Sequence, residues 1–351
     1  YTLLILGLCL GFAACSDDND GLDPNAAAPV IKFPMEQLDV DLNKVDKITS
    51  ADKIVVPVPK GYTASSVSTE NKVSEGFVIY EGQEAVTNTN ADTARRTRNQ
   101  FVWVPVENPS DMYGTDKDGK KRGKLYNFSA SGIIAENWTE QGGVMSITSE
   151  TSYREPDVLE SFDSSNSVTI SQLETEFNNM IESVKKYGGF YIGRYETGNL
   201  SQEKASIIKN NSDIGNQTWY TMYKKAKGIA VNNNVTSSMI WGSQWDATMR
   251  WMYNSGNEEK KKYTYDSRGK GNYSSDSPIA TGSIEAYAVN NIYDMAGNVS
   301  DWTIEAYSTV LRVTRGGNYS DDGSNGPASV RRSSNPTNSI DNYGFRVALY
   351  M

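Results

Sequence analysis

Residues 294–351 place glycine, proline and aromatic residues at fixed points, with short polar runs between them. The fixed points include Arg315-Gly316-Gly317 and Gly344-Phe345-Arg346. Glycine reaches positive φ and proline holds φ near one value, so such residues restrict how the backbone can turn. Phe345 and Val347 belong to a last apolar stretch, which predicts a closing strand in the core. The segment is therefore predicted to be a rigid frame that carries polar loops.

Three motifs of this segment resemble those of the formylglycine-generating-enzyme (sulfatase-modifying-factor) type of C-type-lectin fold. They are Gly297-Asn298-Val299-Ser300-Asp301-Trp302, Arg315-Gly316-Gly317-Asn318-Tyr319 and Gly344-Phe345-Arg346, in the order that the family shows. The apolar stretch 101–106 resembles the family's opening strand, so the resemblance extends over residues 53–351. It implies one α+β domain with long loop insertions.

Hydrophobic periodicity elsewhere predicts strands first, then helices, then a loop-rich closing segment, which is an α+β pattern. The clearest helix is predicted at 171–187, with a capping box of Ser171 and Glu174 and a stop at Gly188-Gly189. Further helices are predicted at 221–230 and 244–253, with Trp245, Met249 and Met252 pointing inward. Strands are predicted at 77–80, 101–106, 190–195, 312–313 and 345–350. Exposed loops are predicted at 87–99 (with Arg95, Arg96 and Arg98 in solvent) and 254–282, and a long surface insertion with weak strands is predicted at 107–150.

The N-terminus contains an apolar run, residues 3–14, which has signal-peptide length and is too short to span a bilayer. It ends in Phe12-Ala13-Ala14-Cys15, which resembles a bacterial lipobox and implies that Cys15 carries the lipid. The acidic Ser16-Asp17-Asp18-Asn19-Asp20 resembles the export signal of Bacteroidetes-type surface lipoproteins. We therefore predict a signal peptide at 1–14, truncated at its start, and a lipidated tether at 15–30. An N-terminal extension at 31–52 precedes the domain, and we expect a lipid-anchored, surface-exposed protein of the outer membrane.

Composition excludes several functions. A net charge of −9 and a pI near 4.8 argue against nucleic acid, which needs a basic surface. The resemblance implies a copper-binding cysteine pair, or histidine ligands in related iron enzymes, but the chain has no histidine, and its two cysteines are Cys9 and Cys15. We predict no enzyme and no cofactor. Asn298 and Asp301 would hold backbone or a structural calcium, and an acid–base pair among Glu285, Asp294, Asp301 and Glu305 is the remaining catalytic alternative.

The polar runs between the fixed points resemble the variable region of proteins diversified by retroelements, which use this same C-type-lectin scaffold. Each residue type in these runs can be reached from an asparagine AAC codon by changing adenines alone. Small polar and tyrosine side chains on rigidly held loops suit an adaptable binding surface. Residues 315–348 are therefore predicted to be a variable region that binds an unknown protein or glycan at the cell surface. The predicted binding residues are Tyr319, Ser320, Asp321, Asp322, Ser324, Asn325, Val330, Arg332, Ser333, Ser334, Ile340, Asp341, Asn342 and Tyr343.

Three alternatives remain open at this stage. The segment could be a polar loop region that merely closes the domain. The protein could be an enzyme of the family with altered chemistry. It could also be a surface protein with an invariant carbohydrate site.

Overall fold

The structure is a computed structural model, and it describes residues 40–148, 153–157, 168–230 and 232–351. Residues Ile31–Met351 form one compact unit. The predicted signal peptide, the tether and Cys15 lie outside the described residues, so lipidation stays a prediction. Within the described ranges, no helix has both the length and the apolar character needed to cross a bilayer.

Many short strands and few helices make up the described part of the chain. The helices are α1 (Ala91–Thr97), α2 (Ile170–Tyr187), α3 (Trp219–Lys227), α4 (Gly242–Tyr253) and α5 (Glu258–Tyr265). The strands are β1 (Val45–Thr49), β2 (Val55–Pro59), β3 (Tyr62–Ala64), β4 (Val78–Glu81), β5 (Gln100–Pro105), β6 (Tyr113–Thr115), β7 (Lys121–Gly123), β8 (Tyr126–Ser129), β9 (Gly132–Ala135), β10 (Trp138–Gln141), β11 (Val144–Ile147), β12 (Gly189–Gly193), β13 (Thr236–Met239), β14 (Ala288–Val289), β15 (Ile292–Tyr293), β16 (Ser300–Ser308), β17 (Leu311–Arg315), β18 (Arg331–Ser334), β19 (Tyr343–Phe345) and β20 (Val347–Tyr350). The predicted α+β class is confirmed.

Two sheets organise the molecule. The larger has six strands in the order β13-β20-β12-β5-β4-β3, so the last strand of the chain pairs with strands from its middle. The smaller has four strands in the order β18-β17-β16-β19, and β19 runs parallel to β16. The predicted insertion 107–150 contains three hairpins, β6–β7, β8–β9 and β10–β11. Strand β1, in the segment predicted as an extension, pairs with β2, which lies within the predicted domain.

The helices pack by the apolar faces that their sequences predict. Trp245, Met249 and Met252 of α4 are all fully buried, as predicted. Helix α2 ends at Gly188, which has φ +78°, also as predicted. The predicted capping residues of α2 are wrong by two positions: Thr169 is the N-cap, and its side chain and that of Gln172 form the capping box. Thr169 has the extended backbone that a cap requires, whereas Ser171 already lies inside the helix.

Two segments predicted as loops contain helices. Helix α1 lies within 87–99, and the prediction that its arginines are solvated is wrong for two of them. Arg95 pairs with the buried Glu70 at 2.6 Å, and Arg98 donates to the main-chain carbonyl of Glu81. Helix α5 lies within 254–282 and is capped by Asn257, whose side chain accepts from two main-chain N–H groups. Both helices are short and polar, so they lack the apolar stripe that reveals a helix in sequence.

Candidate ligand-binding face

The glycines after β17 fix where the frame ends and the loops begin. Gly316 and Gly317 have φ of +87° and +70°. A Cβ on Gly316 would lie 2.6 Å from the carbonyl oxygen of Met295, so only glycine fits there. The main chain of Gly316 accepts from Gly297 N–H at 2.8 Å, and Tyr319 N–H donates to Asn298 O at 2.9 Å. The first two sequence motifs therefore contact each other directly, as parts of one frame.

Asn298 has the backbone-holding role rather than the calcium role. Its φ is +61°, and its side-chain oxygen accepts from Ile279 N–H at 2.8 Å. Its amide nitrogen donates to Glu196 Oε2 at 2.6 Å. The side-chain oxygen, which is the amide atom that could bind a cation, also accepts from the side chain of Asn272 at 3.2 Å, so both of its lone pairs are used. The described ranges contain no cluster of three or more cysteine, histidine or carboxylate side chains that could hold a metal ion.

Each of the four carboxylates considered as an acid–base pair has a different environment, although Asp294 and Asp301 are close enough for the charge of Asp294 to raise the pKa of Asp301. Asp294 accepts from Gly282 N–H at 2.7 Å, and Asp301 faces Arg346 at 3.4 Å. Glu305 lies 2.6 Å from Arg331, whereas the side chain of Glu285 is 76% exposed. Burial raises the pKa of Asp301 to about 6, although Arg346 opposes the shift. Because Asp294, Asp301 and Glu305 are all buried, a substrate has no access to them in this conformation.

None of the predicted binding residues is buried. They lie on the loop after β17, on β18, on the loop that follows it, and at the start of β19. The exposed residues are Ser320, Ser324, Asn325, Ile340 and Asp341, and the half-buried ones are Tyr319, Asp321, Asp322, Val330, Arg332, Ser333, Ser334, Asn342 and Tyr343.

Side-chain contacts connect these segments across the sheet. Strands β18 and β19 are the opposite edges of the smaller sheet, so residues on them would be separated without a bridge. The loop after β17 supplies that bridge. Arg332 Nη1 of β18 lies 2.6 Å from Asp321 Oδ2, and Tyr319 Oη donates to Asp341 Oδ1 at 3.2 Å, close to β19. These two contacts connect the segments that carry the predicted binding residues, and we call those residues together the C-terminal face.

Some residues of this face also hold its loops. Asp321 Oδ2 accepts from Asn318 N–H at 2.9 Å, and Asp322 Oδ1 accepts from Ser324 N–H at 2.7 Å. Ser334 Oγ accepts from the side chain of Asn338 at 2.9 Å. Such residues are less exchangeable than Ile340, whose exposed side chain makes no hydrogen bond, since replacing them removes a bond that shapes the loop.

Sequence reasoning missed two segments that border the face. In the loop 212–217, Asn216 N–H donates to Ile340 O at 3.1 Å, and a Cβ on Gly215 would lie 2.5 Å from Asp341 O. In the loop 273–276, Ser275 N–H donates to Tyr319 O at 2.9 Å. Both segments are polar and rich in turn residues, and nothing in such a pattern indicates which distant loop it contacts.

A buried cluster of charges anchors β18 beneath the face. Arg331 is 4% exposed at its side chain, whereas its neighbour Arg332 is 40% exposed. Arg331 reaches Asp246 at 2.7 Å and Glu305 at 2.6 Å, and Arg315 of β17 also pairs with Asp246. Alternation along a strand explains why neighbouring arginines point to opposite sides.

A buried carboxyl group near Glu305 completes this cluster. Glu155 is fully buried and accepts from the N–H groups of Gly242 and Ser243 at 2.7 and 2.8 Å. Burial and the nearby Glu305 raise the pKa of Glu155 to about 8.

The part of the chain that contains the three motifs is similar to a known protein family. Residues 234–351 match the family model described as the sulfatase-modifying factor enzyme 1-like domain. The resemblance predicted from the three motifs is thereby confirmed for this part of the chain. All three motifs and the whole C-terminal face lie within this sulfatase-modifying-factor-like region. No curated protein sequence matches the chain.

Solved structures give remote likenesses. Treponema denticola variable protein 1 is 13% identical, over 68% of this chain and 98% of that chain, with a TM-score of 0.30. PvdO from Pseudomonas aeruginosa is 14% identical, over 69% and 98%, with a TM-score of 0.34. The Major Tropism Determinant U1 variant is 12% identical, over 72% and 63%, with a TM-score of 0.31. Likenesses of this strength carry no argument about what the chain binds.

Proposed function

We propose that this protein is a ligand-binding lipoprotein of the cell surface and that its C-terminal face is the binding surface. One observation carries the proposal: the predicted binding residues are all at least partly exposed, and contacts of Arg332 with Asp321 and of Tyr319 with Asp341 connect the segments that carry them. The glycines of this segment are buried, and so are Ala328 and Phe345. Such a division lets the surface differ between copies of the gene while the frame stays the same.

The physical character of the face suits recognition of a protein or a glycan. Tyrosine, serine and asparagine supply contact area and adaptable hydrogen bonds at low cost in conformational entropy. Asp321, Asp322, Asp341 and Arg332 add charge, which contributes mainly to specificity and association rate. The acidic chain, with a net charge of −9, disfavours nucleic acid as the partner.

The matched family favours an alternative function, which is catalysis. Residues 234–351 contain neither cysteine nor histidine, so this region lacks the thiol and imidazole groups on which the family's chemistry depends. The carboxylates that could replace them are buried or lie apart. Binding therefore accounts for the residues of the face better than catalysis does. Copper- or iron-dependent oxygen consumption by the purified protein with thiol substrates, abolished by a chelator, would favour the enzyme.

Anchoring to the outer membrane is part of the proposal and rests on Cys15. We expect Cys15→Ala to release the protein from the detergent phase in a phase-partitioning assay, with Cys9→Ala as the matched control that keeps the lipid. External protease should degrade the wild-type protein on intact cells. If Cys15→Ala partitions like the wild type, the lipid anchor is wrong.

Diversification is tested by the DNA around the gene. We expect a reverse transcriptase gene nearby and a near-copy of the codons for residues 315–348. In sister strains, substitutions should concentrate at the residues of the C-terminal face and spare Gly316, Gly317 and Phe345. A face that is identical in all strains would instead favour an invariant binding site.

A further inference from the structure

A second recessed site lies away from the C-terminal face. It is a groove of about 140 Å³ between α4 and the segment that follows β5. One wall is a single face of α4, because Ala247, Arg250, Trp251 and the C-cap Asn254 recur at three- and four-residue spacing. The opposite wall is formed by residues in 105–112. The groove therefore combines apolar side chains of the core with polar ones at its rim.

An ion pair between Arg250 and Asp111 lies at the rim of this groove, and neighbouring groups fix its position. Arg250 Nη2 lies 3.0 Å from Asp111 Oδ2, and the two side chains are 24% and 41% exposed. The Arg250 guanidinium also lies over the Tyr126 ring, 4.7 Å from its centroid. Tyr126 Oη donates to Asp111 O at 2.9 Å, which fixes the acidic side of the pair. Groups that are already positioned lose little entropy when they bind a ligand.

The other groups complete a mixed lining. Asn108 uses its side-chain oxygen to accept from Ser110, so its amide nitrogen stays available as a donor. Asn254 is exposed at the end of α4. Met112 and Trp251 are buried side chains that supply apolar contact. Donors, acceptors and an aromatic ring thus surround one small space.

The charges of the lining decide what can bind. Arg250 would repel a cation, and Asp111 and Glu107 would repel an anion. An apolar ligand would remove water from the ion pair without replacing its hydrogen bonds, which is costly. A neutral polyol satisfies both partners, because each hydroxyl group donates and accepts. Its carbon–hydrogen face can pack on the apolar atoms of Val106, Ala247 and Trp251 that line the groove.

We infer that this groove binds one neutral sugar ring. Sites for drug-sized ligands are about 300–1,000 Å³, so this smaller groove has room for a single ring rather than a chain. The inference does not rest on the proposed function, because none of the groove residues belongs to the C-terminal face. It assigns Asp111 and Arg250 to the hydroxyl groups, and the apolar atoms of Val106, Ala247 and Trp251 to the carbon face of the ring.

The test uses the purified full-length chain in a detergent without a sugar head group. Methyl glycosides of glucose, galactose, mannose and N-acetylglucosamine are titrated, and saturation-transfer NMR detects binding. We expect at least one glycoside to bind, and Asp111→Ala to weaken its binding about tenfold or more. The matched control is Asp118→Ala, which removes an exposed aspartate from the Lys117 pair outside the groove.

Two further variants keep the result decisive. If Asp111→Ala changes the circular dichroism spectrum, Asn254→Ala replaces it, since that side chain is exposed at the rim. Asp341→Ala on the C-terminal face should bind the glycoside as the wild type does. The inference is overturned if none of the glycosides binds, if Asp111→Ala and Asn254→Ala bind as tightly as the wild type, or if Asp341→Ala abolishes binding.

Discussion

Gly316 shows how a single residue separates frame from loop. Its positive φ is unfavourable for other residues, and a Cβ there would approach the Met295 carbonyl oxygen to 2.6 Å. Gly119 has a similar φ of +77°, but nothing lies within 4 Å of the position that its Cβ would take. Substituting Gly119 therefore measures the free-energy cost of backbone strain alone, whereas substituting Gly316 adds the cost of a steric clash.

We expect Gly316→Ala to lower the free energy of unfolding by more than Gly119→Ala does. The left-handed conformation alone costs an alanine roughly 1–2 kcal/mol, and only Gly316→Ala adds a clash with main chain. Urea denaturation of both variants measures the difference. Equal losses would mean that Gly316 is not packed against Met295.

Glu155 is a buried acid whose protonation the fold controls. Its pKa is raised from 4.5 to about 8, mainly by burial and then by Glu305. Because the folded protein holds this proton more tightly than the unfolded chain, its contribution to stability is complete below pH 4.5 and is lost as the pH rises toward 8.

Glu155→Gln should therefore reduce the fall in the free energy of unfolding between pH 4.5 and 8. The amide can also change the free energy of unfolding by an amount that does not depend on pH, and that change leaves the slope unaffected. Denaturation curves across this range measure the slope for the wild type and the variant. Glu258→Gln is the control, because Glu258 is 84% exposed and should leave the slope unchanged. An unchanged slope in Glu155→Gln would show that Glu155 is not a buried acid.

At the scale of elements, β18 joins the face to the core. Its neighbouring arginines point to opposite sides: Arg331 pairs with Asp246 and Glu305 inside, and Arg332 pairs with Asp321 outside. The same strand thus supplies one residue to the frame and the next to the binding surface.

Arg331→Ala should destabilise the protein by about 3–5 kcal/mol, because it leaves buried carboxylates without a partner. Arg332→Ala should cost no more than about 1 kcal/mol, because exposed ion pairs contribute little. Chemical denaturation of the two variants provides the comparison, each serving as the control for the other. Similar losses would place both side chains in the same environment and remove Arg332 from the face.

Elements with a clear apolar period could be predicted from sequence, and others could not. Helices α2 and α4 carry apolar stripes, and their buried residues agree with the prediction. Strand β16 was missed, although Asp301, Thr303 and Glu305 alternate with its apolar residues as in a strand, and that pattern wrongly suggests that the polar side faces solvent. All three are buried, and arginines from distant parts of the chain pair with the two carboxylates. Pairing between distant residues leaves no local signal.

At the scale of the molecule, the two sheets explain how one C-terminal segment can serve both fold and surface. Strand β20 lies inside the larger sheet, and β16 to β19 form the smaller one. The exposed loops between these strands were predicted from their polar composition. That the loops 212–217 and 273–276 border the C-terminal face could not be predicted, because tertiary contacts decide which loops are neighbours.

The central claim is that the C-terminal face can change while the frame cannot. The most direct measurement compares protease resistance of two displayed libraries of the chain. One randomises Ser320, Asn325, Ile340 and Asp341 together, and the other randomises Ile304, Val313, Ala328 and Phe345, which are buried. We expect most members of the first library to resist protease as the wild type does, since exposed substitutions usually change stability by no more than about 0.5 kcal/mol each. We expect few members of the second library to resist protease, because their substitutions lie in the core.

Selection of the first library against a panel of folded proteins should also yield binders that lose affinity when the four residues revert. If the face library unfolds as often as the frame library, or its binders keep their affinity after reversion, the C-terminal face is not a separable binding surface.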